Sequence, residues 1–165
     1  MGLNEDIERV SMQERELRLK ELNSAWAWEL GTRLRSVALV REMPLVIDVR
    51  RFGQPLFYAA LEKTTPDNVE WVRRKNNVVA RFHRSSYGMG LNLKLNDTSL
   101  ESKHGLSLVD YAAHGGAFPL HVTGAGIVGS VTVSGLPQRA DHELVVEVLC
   151  ELLGRDYAAL KLGPE

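Results

Sequence analysis

The chain has 165 residues, 25% of them charged and 44% hydrophobic, with a formal net charge of -1. That length suits one domain with a sizeable core, and that composition is globular rather than disordered. The charge balance excludes a global basic field for nucleic acid, a single cysteine excludes an internal disulfide, and no apolar run is long enough to cross a bilayer.

Residues 1–22 open acidic and polar ("MGLNEDIERV"), which predicts no secretory signal and a cytoplasmic protein without membrane insertion. Ile7, Val10, Leu17, Leu19 and Leu22 form a thin apolar stripe, read as a short helix followed by an arm against the body or another subunit. The main domain is expected over 23–165. Ser24 is placed to cap a helix whose apolar face carries Trp26, Leu30, Leu34, Val37 and Ala38, ending before Pro44. Leu45, Ile47 and Val49 then alternate with Val46, Asp48 and Arg50, Gly53 marks a turn, and Leu56–Leu61 returns, so an antiparallel hairpin is predicted.

Thr65, Pro66 and Asp67 are a helix start, with a cap, a proline at the first helical position and an acid at the positive end of the dipole. The helix should run to about Arg84. Residues 88–117 fit either strand or helix in part. Phe118–Thr123 and Ile127–Ser134 alternate as strands, and Asp141 is placed to cap a last helix carrying Leu144, Val145, Val148, Leu149 and Leu152, with Gly154 past its end. Cys150 lies among leucines and reads as a buried structural thiol.

Gly124-Ala125-Gly126-Ile127-Val128-Gly129 has the spacing of a dinucleotide fingerprint. That chemistry needs a helix N-terminus directly after the glycines, to hold a pyrophosphate. Here a β-branched run follows and Gly135 and Pro137 then break the chain, so the glycines read as a hairpin turn.

Lys75 is the residue most out of place. Val72, Val78, Val79 and Phe82 share its helix face, so an ammonium sits in an apolar stripe and must find a partner, reach out along its stem, or shift its pKa. Arg74, Asn77, Arg81 and Arg84 form a separate basic face. The five histidines show no zinc-helix spacing; His114 precedes Gly115-Gly116, where backbone amides could meet a ligand, and His142 in a first helical turn should be neutral. Ser85-Ser86 and Ser134-Gly135 supply hydroxyls without a nucleophile elbow. Spacing alone shows no catalytic constellation and no metal site.

The runs "LVIDVRRFGQPLFYAAL", "TTPDNVEWVRRKNNVVARFHRSS", "YAAHGGAFPL" and "GIVGSVTVSGLPQRADHELVVEVL" closely resemble the UPF0303 family, within the wider haem-degrading-domain superfamily. The resemblance implies an α+β, profilin-like, three-layer α/β/α fold with a five-stranded antiparallel sheet, and a homo-oligomer built from dimers. It marks Arg74, Lys75, Ser85, Ser86, His114, Gly115, Gly116, Ser134, Gly135, Asp141 and His142 as ligand-binding positions. The function this implies is small-molecule or partner binding without catalysis. Two alternatives stand beside it: haem binding or degradation, with His114 as axial ligand, and an enzyme acting on a small anionic metabolite held by Lys75 or the basic face.

Overall fold

A computed structural model describes residues 2–165. Helix α1 (Leu3–Glu16) leads into a two-residue strand β1 (Arg18–Leu19). Helix α2 (Ser24–Val40) follows, and its cap is Asn23 rather than Ser24: the Asn23 side chain accepts the Trp26 N–H at 2.8 Å. Strands β2 (Val46–Arg51) and β3 (Gln54–Ala60) form the expected hairpin about Gly53. Helix α3 (Pro66–Phe82) stops two residues short of Arg84, because His83 takes a left-handed conformation (φ 56°) that closes its C-terminus.

The stretch that sequence left open forms two helices, α4 (Ser86–Leu95) and α5 (Leu100–His104). Helix α4 buries Ser86, Tyr87, Gly88, Met89, Leu91 and Leu93, so its apolar residues run nearly all round it and show no face. Strands β4 (Ala117–Val122) and β5 (Gly126–Ser134) pair across the turn at Gly124 and Gly126, whose φ values are 85° and 86°. No helix follows these glycines, so the dinucleotide reading fails on geometry. Helix α6 (Gln138–Leu153) begins before Asp141, which therefore lies inside its first turn rather than capping it; Gly154 closes its far end in the left-handed region, and a short α7 (Tyr157–Leu160) follows.

The sheet order is β1-β4-β5-β2-β3. Four strands are antiparallel neighbours, but β1 runs parallel to β4, Arg18 beside His121 and Leu19 beside Val122. The sheet is therefore mixed, which corrects the expected all-antiparallel arrangement. The physical reason is connectivity: the segment after α1 lies along the free edge of β4 and continues into α2 instead of turning back as a hairpin.

The two sheet faces differ. On one, Ile47, Val49, Phe118, Leu120, Val131 and Val133 pack with Leu30 and Leu34 of α2 and Val145 and Leu149 of α6 in one apolar core. The other lies under α3 and is polar. Asp48 is fully buried and receives Arg50 through two 2.7 Å hydrogen bonds, Ser130 donates to Asn76, and the Thr132 hydroxyl has no partner among the described residues. Cys150 belongs to the apolar core, and burial pushes its thiol up to about 11, as expected for a structural cysteine.

Helix α1 packs Val10 against Tyr87 and Leu91 of α4 and is tied further to the body by polar groups. Gln13 donates to Glu143 (3.1 Å) and to the Leu160 carbonyl (2.9 Å), and its own carbonyl oxygen receives His142 Nε2 at 2.7 Å. Arg139 donates to Asp6 (2.7 Å), to Tyr87 (3.1 Å) and to Gly163. No helix among the described residues is long and apolar enough to cross a membrane.

Candidate functional site

Lys75 is buried, 3% exposed, with Val72, Val78 and Val79 buried around it on α3. Its ammonium donates to Asp141 Oδ2 at 3.0 Å and to the Val133 carbonyl at 3.2 Å. Gly116 makes the space: at φ 138°, a Cβ there would meet the Val133 oxygen at 2.4 Å and Lys75 Nζ at 2.8 Å. Burial lowers the Lys75 pKa, and Asp141 only partly opposes that shift. The same burial pushes Asp141 up to about 6, against the pull of Lys75 and of the Leu136 and Gly135 backbone N–H groups. Both shifts run the way desolvation drives each partner, which is the signature of a buried pair.

This pair forms one wall of a cleft of about 350 Å³ that also carries Asn68, Trp71, His114, Ser134, Gly135, Leu136 and Gln138. That volume falls within the range of small-molecule sites. Asn68, Trp71 and Lys75 are seven and four residues apart on one α3 face, and Trp71 places its ring 6.0 Å from Lys75 Nζ. His114 stands at the exposed rim with its ring edge against Trp71, centroids 5.2 Å apart. Partial desolvation, with the nearby charges of Lys75 and Arg74, holds its pKa below the usual imidazole value. Arg74 stacks on Trp71 at 4.5 Å and donates to the Leu108 carbonyl.

The hydrogen-bond inventory gives the cleft its character. Gln138 Oε1 accepts the Gly115 N–H at 3.0 Å, and Asn68 Oδ1 accepts the Thr65 N–H at 2.9 Å, so each amide turns its NH₂ outward. Asp141 Oδ1 accepts the Leu136 N–H and its Oδ2 is held by Lys75. What remains is mostly donors: two amide NH₂ groups, one Lys75 N–H, the His114 ring and the Ser134 hydroxyl.

Of the positions marked by the family resemblance, Lys75, His114, Ser134, Gly135 and Asp141 line the cleft, Gly115 and Gly116 form its backing and Arg74 reaches its rim. Ser85 and Ser86 lie elsewhere: Ser85 caps α4 through Gly88, and Ser86 Oγ receives the Ala117 N–H at 3.0 Å. His142 is also apart, buried between Tyr87 and Phe118 and bonded to Gln13. Asn68, Trp71 and Gln138 were not singled out in the sequence. The first two lie on the same helical stripe as Lys75, a signal available to i, i+3, i+7 counting; Gln138 has no such signal.

A single mixed sheet with α2 and α6 on one face, α3 on the other and a donor-lined cleft at the end of β5 defines an α+β protein with an open cleft beside a buried ion pair. A family model described as "Haem degrading protein HbpS-like" matches residues 22–150. A UPF0303 protein of Acidobacterium capsulatum is 62% identical over 162 residues, 98% of each chain, and one of Burkholderia thailandensis is 56% identical over 163 residues, 99% of each. The chain belongs to this HbpS-like, UPF0303 family. Among solved structures it is similar to the Ybr137w protein (TM-score 0.83, 29% identity, covering 90% of this chain and 87% of that one). It also shares its fold with HbpS (TM-score 0.63, 16% identity, 84% and 94% covered) and with PduOC, solved as a haem complex (TM-score 0.63, 13% identity, 75% and 90% covered).

The family description names haem, which sets requirements on the cleft residues. A haem site wants an axial donor oriented by a partner on its second ring nitrogen, and a distal pocket whose polarity is controlled. The His114 ring makes no hydrogen bond within the described residues, and the cleft wall opposite it is the charged pair Lys75–Asp141 with Asn68 and Gln138. No group of three His, Cys, Asp or Glu side chains among the described residues is placed to hold a metal ion. These residues do not fit a resident haem at this cleft.

Proposed function

We propose that the protein is a binding protein for a small, acceptor-rich anion, a carboxylate-bearing metabolite, held in the cleft between α3 and the start of α6 without chemical turnover as its primary role. One observation carries the reading: every carboxylate and amide oxygen of the cleft is already occupied by a protein N–H, while the amide NH₂ groups, one Lys75 N–H and the His114 ring are unspent. Such a wall leaves a carboxylate's lone pairs with partners and leaves a cation with none. Trp71 supplies a flat apolar side for the ligand's carbon skeleton, and Arg74 at the rim adds positive charge along the approach.

The test is calorimetric titration of the wild-type protein with a panel of small mono- and dicarboxylates, repeated on Gln138→Leu, which removes one donor from an exposed position. Saturable binding, weakened about tenfold by that substitution, is the expected result, in line with the loss of one hydrogen bond to a charged group. Absence of binding to every carboxylate overturns the reading. A hemin titration runs beside it: a Soret band lost on His114→Ala would move the assignment to haem.

The chain is further proposed to act as a cytoplasmic homo-oligomer built from dimers. Strand β3 is a free sheet edge, and exposed Tyr58 on it and Trp28, 62% exposed against Phe57, give its neighbourhood an uncovered apolar surface. Light scattering that reports a stable monomer at micromolar concentration overturns this.

A further inference from the structure

Six lysines occur in the chain, and five of them (Lys20, Lys63, Lys94, Lys103 and Lys161) are exposed, whereas Lys75 is buried. An amine in water is protonated and solvated, so it is a weak nucleophile. An amine withdrawn from water beside a proton acceptor is the arrangement by which lysines condense with carbonyl groups. Lys75 has both features. Its nitrogen is desolvated, and Asp141 Oδ2 stands 3.0 Å away, in line to take a proton. Two of its three N–H bonds are spent on Asp141 and Val133, and the third position is left on the cleft side.

We propose that Lys75 captures its ligand covalently and reversibly, as an iminium formed with the carbonyl of a small 2-oxo acid. This rests on the carboxylate-binding reading above, and it narrows the ligand class to carboxylates that carry an adjacent oxo group. The ammonium first gives one proton to Asp141. The freed nitrogen lone pair then forms a bond to the carbonyl carbon as the C=O π pair moves onto oxygen. A second nitrogen proton and the proton held by Asp141 leave with that oxygen as water, and nitrogen closes the C=N bond. The net change is one ammonium and one carbonyl to one iminium and one water, with the proton lent to Asp141 leaving in that water; no oxidant or reductant takes part. The iminium keeps the positive charge that the Asp141 carboxylate, ionised again, pairs with. The unspent Gln138 NH₂ and the His114 ring are the donors available to the developing oxyanion and to the ligand carboxylate. Burial lowers the Lys75 pKa and raises that of Asp141, so proton transfer between them is easier than between exposed partners.

The contents of the cleft wall favour this over capture at a surface lysine. Gly116 gives Nζ its place, since a side chain there would displace it, and the Trp71 ring lies 6.0 Å from Nζ in the same cleft wall.

The experiment incubates wild-type protein with pyruvate and sodium cyanoborohydride, followed by intact mass and peptide mapping, with lactate titrated in parallel by calorimetry. The expected result is one reduced adduct per chain, on the peptide carrying Lys75, absent from Lys75→Arg and from Lys75→Met. Adduct spread over the five exposed lysines, or none on Lys75 at saturating pyruvate, overturns the proposal. Because mapping is done on the wild-type chain, failure of a variant to fold does not blunt the test. The lactate arm separates the two readings. Lactate binding without a pyruvate adduct leaves the carboxylate site standing and removes the covalent step, whereas absence of both removes the site as well.

Discussion

The two faces of one sheet are built from alternate residues of the same strands, yet they do different work. In β2, Ile47 and Val49 enter the core with α2 and α6, while Asp48 between them points under α3. In β5, Val131 and Val133 go one way and Ser130, Thr132 and Ser134 the other. The α2/α6 face is held by apolar burial, which is non-directional and tolerant of small adjustments. The α3 face is held by paired polar groups, which stabilise little in net terms but fix positions closely. The cleft opens on the second face, where a buried charged pair, Lys75–Asp141, is fixed by its partners at the end of β5.

Breaking each face should separate these roles. The largest expected effect is on the polar side: Asp141→Asn strands the Lys75 charge and should cost about 3–5 kcal/mol of stability, while the double variant Lys75→Met with Asp141→Leu should recover most of it, since an apolar pair of similar volume is often neutral. On the apolar side, Leu34→Ala should cost about 2–5 kcal/mol through lost burial and a cavity, and leave carboxylate binding per folded molecule unchanged. Urea unfolding read by circular dichroism, with calorimetry on the same samples, checks both. If Leu34→Ala abolished binding while the folded fraction stayed high, the division between the faces would be wrong.

A smaller effect sharpens the comparison through pH. Burial holds His142 neutral, with its pKa near about 3, so the unfolded chain binds a proton there below the usual imidazole pKa and the folded chain does not. Stability from this residue is complete above about pH 6.5 and is lost as pH falls toward 3. Asp141, at about 6, works the other way: the folded chain takes up a proton before the unfolded one, so its contribution rises as pH falls from 6 to about 4. In the wild type these two slopes oppose each other in that window. In Asp141→Asn only the His142 slope remains, and stability should fall more steeply than in the wild type, by up to about 1.4 kcal/mol per pH unit. Urea midpoints measured at half-unit steps from pH 7 to pH 4 check this, and parallel slopes for the two proteins would refute it.

Much of this was legible beforehand, for local reasons. The β2–β3 hairpin shows in the alternation about Gly53, α3 in Thr65-Pro66-Asp67, and the glycine turn in the β-branched run after it. Helix α4 was not, because a helix buried on most sides has no polar face to set its period. Nor was β1: two residues cannot show a period of two, and its pairing with His121 and Val122 is about a hundred positions away. Lys75 stood out because a charge interrupts an apolar stripe, a contrast visible on one helix. Its partner Asp141 sits 66 positions later and looked like a helix cap, since in sequence an acid at the head of a helix reads the same whether it serves the backbone or a distant ammonium.

The polar ties of α1 set an order of events in synthesis. Gln13 waits for Leu160, Asp6 waits for Arg139, and Arg139 itself closes on the carbonyl of Gly163. Strand β1 cannot pair until β4 exists. Helix α1 is thus seated in two parts: Val10 meets Tyr87 and Leu91 of α4 early, while the Gln13 and Asp6 ties close only once α6 and the residues after it are in place. A chain truncated before α6 would hold α1 by its α4 contacts alone, with Gln13 and Asp6 unanswered, and should be cut there more readily by proteases.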